Sequence, residues 1–90
     1  MCLIITGKAL KVRSTLLEVE GLLADIYAKN SDGIGIMYAT AKKGLRIIKE
    51  LPKNVAEARS VIERIPKDER DVAIHFRWKT HGAIDLENCH

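Results

Sequence analysis

The chain reads as one α+β domain with the element order β-α-β-β-α-β. Three observations predict it. Four short runs have strand character, and two longer ones carry apolar residues at helical spacing. Two segments, Thr15-Leu-Leu-Glu18 and Asn54-Val-Ala-Glu57, have the spacing of a helix capping box. Turn-forming residues, Asn30-Ser-Asp-Gly33, Lys43-Gly44, Pro52 and Pro66, fall between the runs.

Residues 2–7 form a short β run that Gly7 ends. Residues 8–14 are polar and turn-like, with Lys8, Lys11 and Arg13. Thr15 is expected to cap the first helix, with Glu18 reaching back, and Leu16, Val19, Leu22, Leu23 and Ile26 make its apolar stripe. Gly21 weakens that helix by ~1 kcal/mol relative to alanine and reads as a point of close packing. Ile34, Ile36 and Tyr38 alternate with Gly35, Met37 and Ala39, a strand pattern, and residues 45–51 read as the return strand of a hairpin. Asn54 caps the second helix, whose stripe is Val55, Ala58, Val61, Ile62 and Ile65, closed by Pro66. Residues 71–78 form the last strand. Val72, Ile74, Phe76 and Trp78 point one way, and Ala73, His75, Arg77 and Lys79 the other. Residues 79–90 read as loop or frayed chain. There is no internal repeat, low-complexity tract or linker.

Ninety residues make one domain, 1–90, burying at best roughly two-thirds of its unfolded surface. A hydrophobic content of 47% beside 30% charged residues is ordinary for a globular protein. No apolar run approaches the ~18–20 residues of a membrane span. Residues 1–7 are too short, and lack the cleavage flank, for a signal peptide. Two cysteines at opposite ends fit a reducing compartment, so a cytoplasmic location is expected. The formal charge is +3. Its basic clusters, Lys42, Lys43, Arg46 and Lys49, then Arg59, Arg64, Lys67 and Arg70, read as solvated surface. One Trp, one Phe and two Tyr give little stacking area, so nucleic acid is not an expected partner.

The chemistry sits at the two ends. Cys2 follows Met1 directly, and removal of the methionine leaves a thiol and a free α-amine on one residue. Their reference pKa values, about 8.5 and roughly 7.7–8.0, are close enough for proton exchange near neutral pH. Far along the chain stands His75-Phe-Arg-Trp-Lys-Thr-His-Gly82, then Asn88-Cys-His90; between them is Asn30-Ser-Asp-Gly-Ile-Gly-Ile36. Together with Met-Cys-Leu-Ile-Ile5, these segments resemble the class II glutamine amidotransferases of the N-terminal-nucleophile (Ntn) hydrolase superfamily, and most of all their short phage and bacterial members.

The resemblance implies a fold and a site. The fold would be part of a four-layer α-β-β-α sandwich; without the resemblance, the element order fits a two-layer ferredoxin-like sandwich. Cys2 would be the nucleophile, attacking the side-chain amide of glutamine. Arg77 would grip the substrate carboxylate with its planar fork. Thr80, His81 and Gly82 would line the pocket, with Trp78 packing below and Asn88 and His90 as further structural matches. No cofactor and no metal is implied. The family's oxyanion-hole Asn-Gly pair and its amine-gripping Asp lie downstream of the Asn-x-His segment. The 90 residues therefore correspond to the N-terminal part of a glutaminase domain, and incomplete catalysis is expected of them. A half-sandwich would leave apolar sheet surface or strand edges exposed, which predicts self-association or marginal folding.

Plainer readings stand beside these. Cys2 could be a small buried hydrophobe at a strand start, Arg77 a strand charge paired with an acid, and His75 and His81 ordinary polar residues. His75, His81, Cys89 and His90 match no compact zinc spacing. Gly33-Ile-Gly35 lacks the third glycine of a nucleotide loop.

Two functions follow. One is a glutamine-hydrolysing enzyme or enzyme domain, whose partners would be glutamine and a missing C-terminal segment. The other is a non-catalytic, phage-type protein that binds and modulates a host protein, possible also as a homo-oligomer. No membrane partner is expected.

Overall fold

A computed structural model describes residues 2–40 and 44–77. Its elements are β1 (Leu3–Lys8), α1 (Ala9–Glu18), α2 (Leu22–Lys29), β2 (Ile34–Thr40), β3 (Gly44–Glu50), α3 (Val55–Ile62) and β4 (Asp71–Phe76). The four strands form one antiparallel sheet in the order β1-β4-β2-β3. β4, the last strand in sequence, therefore sits between β1 and β2. The fold is α+β, a small sandwich of one sheet and three helices.

Strand alternation sends one set of side chains to the helices. Ile34, Ile36, Ile48, Val72, Ile74 and Phe76 are all buried. They share one core with Ala9, Val12 and Leu16 of α1, Leu23 of α2, and Ala58, Val61 and Ile62 of α3. The helices thus cover one face of the sheet. The face pattern expected for the last strand holds from Val72 to Arg77; Trp78 and Lys79 lie outside the described residues, as does the expected frayed segment 79–90.

The largest departure from expectation is at residues 8–14, read above as polar and turn-like. Lys8 ends β1, and residues 9–14 fold into α1, with Ala9, Val12 and Leu16 buried on one stripe. No side chain caps this helix. Instead the Ala9 and Leu10 N–H groups donate to the Arg70 and Asp68 carbonyls, at 2.7 and 2.8 Å. A distant loop thus satisfies the orphan donors of the first turn, and nothing local in the sequence signals a helix start. Thr15 is not a cap but an interior residue, whose carbonyl accepts from the Val19 N–H at 3.2 Å.

The single helix expected from Thr15 to Ile26 is instead two, broken at Gly21. Gly21 has φ +81, and a Cβ built there would meet nothing within 4 Å. Close packing is therefore not the reason for the glycine; the left-handed backbone is. Gly21→Ala is expected to destabilise the fold by about 1–2 kcal/mol, the cost of that conformation for an L-residue. Urea unfolding checks it, and a neutral or stabilising result would refute the backbone account.

α3 starts as expected. The Asn54 side chain accepts from the Glu57 N–H at 2.9 Å. Glu57 Oε1 accepts from the Lys53 N–H at 2.8 Å, so it reaches one residue beyond the cap. Asn54→Ala is expected to cost about 1 kcal/mol, read as a lower urea midpoint at unchanged slope. The α3–β4 loop is tied to the sheet by Arg70. Its guanidinium pairs with Asp68 at 2.8 Å, donates to the Ala39 carbonyl at 2.9 Å and lies 5.5 Å from the Tyr38 ring centroid. Hydrogen bonds from Arg70 hold the Asp68 carboxyl below its ordinary range. On the helical side, the Tyr27 hydroxyl donates to the Pro52 carbonyl at 2.9 Å, and burial pushes its pKa up.

Candidate functional site

The antiparallel register decides what meets what. β1 and β4 pair from Lys8↔Asp71 to Leu3↔Phe76. The paired residues end at Leu3↔Phe76; continued one step further, the same ladder would bring Cys2 opposite Arg77. Residues directly opposite point to the same face, with Cβ atoms roughly 4.5–5.5 Å apart. That face is the one without helices, because Phe76 beside Arg77 faces the core. That extension would place two residues separated by most of the chain at one corner of the open face.

Cys2 is exposed and carries a free thiol. This removes the reading of Cys2 as a small buried hydrophobe. Arg77 is half-buried. Among the described residues its Nη1 is buried without a hydrogen-bond partner, and no salt bridge joins it to an acid. A guanidinium nitrogen left so is costly unless an acceptor reaches it. An anionic group with two oxygens would supply that acceptor.

The backbone of Arg77 is pinned on its other side. Its N–H donates to the Gly33 carbonyl at 2.9 Å, and its carbonyl accepts from the Asp32 N–H at 2.7 Å. Two residues thus oppose one, the count of a β-bulge, a device that re-aims a side chain at a sheet end. Gly33 has φ 144, a region that favours glycine. The Asp-Gly-Ile-Gly segment noted in the sequence therefore abuts Arg77. The only local signal of this contact in the sequence is a glycine directly before a strand.

Beside this corner the open face forms an apolar trough of about 410 Å³, lined by Ile4, Gly35, Met37, Ile47, Ala73 and His75 among others. Trp78, Thr80, His81, Gly82, Asn88 and His90, the other residues implied by the resemblance, lie outside the described residues. Among the described residues no cluster of three or more His, Cys, Asp or Glu could hold a metal ion. No helix there is long and apolar enough to cross a membrane.

Compared with models of known protein families, with curated proteins and with solved structures, the chain matches none.

Proposed function

We propose that these residues are the nucleophile-bearing part of a class II glutamine amidotransferase-like protein. The observation that supports the reading is the β1–β4 register, which ends at Leu3↔Phe76 and, continued one step, would bring Cys2 opposite Arg77 on one sheet face. The Arg77 nitrogen, without a hydrogen-bond partner among the described residues, and the Asp32-Gly33 contact support it further.

The α-amine of Cys2, free once Met1 is removed, takes the thiol proton. The thiolate sulfur attacks the side-chain amide carbon of glutamine. The C–N bond breaks, the proton passes to the departing nitrogen, and ammonia leaves a thioester on Cys2. Water then cleaves the thioester, giving glutamate and the free thiol. Arg77 holds the substrate α-carboxylate through paired N–H donors, which fixes the amide relative to the sulfur. Thr80, His81 and Gly82 would complete the pocket wall. Donors for the oxyanion are not assigned to any residue of this chain, and full turnover would require them.

A second reading, a non-catalytic protein-binding domain, has one observation in its favour. Ile4, Met37, Leu45 and Ile47 are exposed on the open face of the sheet. Intact-mass spectrometry before and after a glutamine-analogue electrophile separates the two. One adduct on a chain lacking Met1 supports the enzyme. Retained Met1 with no adduct ends that reading and leaves the binding one.

A further inference from the structure

We draw no further inference here: the strongest candidate, the exposed apolar patch of Ile4, Met37 and Ile47 on the helix-free face of the sheet, carries none, because nothing in the structure shows what covers it.

Discussion

A glutamine-analogue electrophile is expected to add one equivalent of mass to the chain, at Cys2, on molecules from which Met1 has gone. Cys2→Ala is expected to abolish the adduct. The more discriminating variant is Arg77→Ala. If Arg77 holds the carboxylate of the reagent, its loss removes charge-assisted hydrogen bonds of about 1.5–3 kcal/mol. By transition-state arithmetic that lowers the labelling rate roughly 10- to 100-fold. Iodoacetamide, which has no amino-acid carboxylate to hold, is expected to react equally with both forms. A rate that drops alike for both reagents would mean that Arg77 only supports the fold near Cys2. A rate that drops for neither would remove Arg77 from the site.

The second large effect lies one residue earlier. Phe76 has no exposed surface and sits in the strand that joins β1 to β2. Phe76→Ala is expected to cost about 3–5 kcal/mol, from lost transfer energy and the cavity left behind. Ninety residues at about 0.05–0.15 kcal/mol each have roughly 5–14 kcal/mol in all. The variant is therefore expected to lose a large part of its stability and, at the lower end of that range, to be largely unfolded at 37 °C. Ile4→Ala on the open face is expected to stay within about 0.5 kcal/mol of the wild type. Urea unfolding followed by circular dichroism checks both. Equal costs would mean that the two faces are not divided as described.

The elements with local signals were readable in the sequence. The 34–39 and 45–51 hairpin, the Asn54 start of α3 and the face pattern of β4 all follow from alternation, turn residues and capping spacing. α1 was not readable, because its first turn is capped by the Asp68 and Arg70 carbonyls. A backbone cap from some sixty residues away leaves no trace in the local sequence. The break at Gly21 was missed for a related reason: a glycine inside a helical stripe signals close packing and positive φ equally, and only geometry separates them. In the candidate site, the residue types at Cys2 and Arg77 were legible as motif. The β1–β4 register, whose continuation would bring them together, was not. The contact of Asp32 and Gly33 with Arg77 likewise depends on long-range strand pairing.

The central place of β4 bears on how the chain is made. During synthesis β2, β3 and the helices emerge while the slot beside β2 is still empty, and β1 has no strand partner at all. The carbonyls that complete α1 also arrive late. Until residues 71–76 leave the ribosome, β1 is an unpaired apolar strand and the core is open on one side. Folding is then expected to be a single late event, slowed by non-local contacts, and nascent chains stalled before β4 should be the ones that chaperones hold and proteases cut.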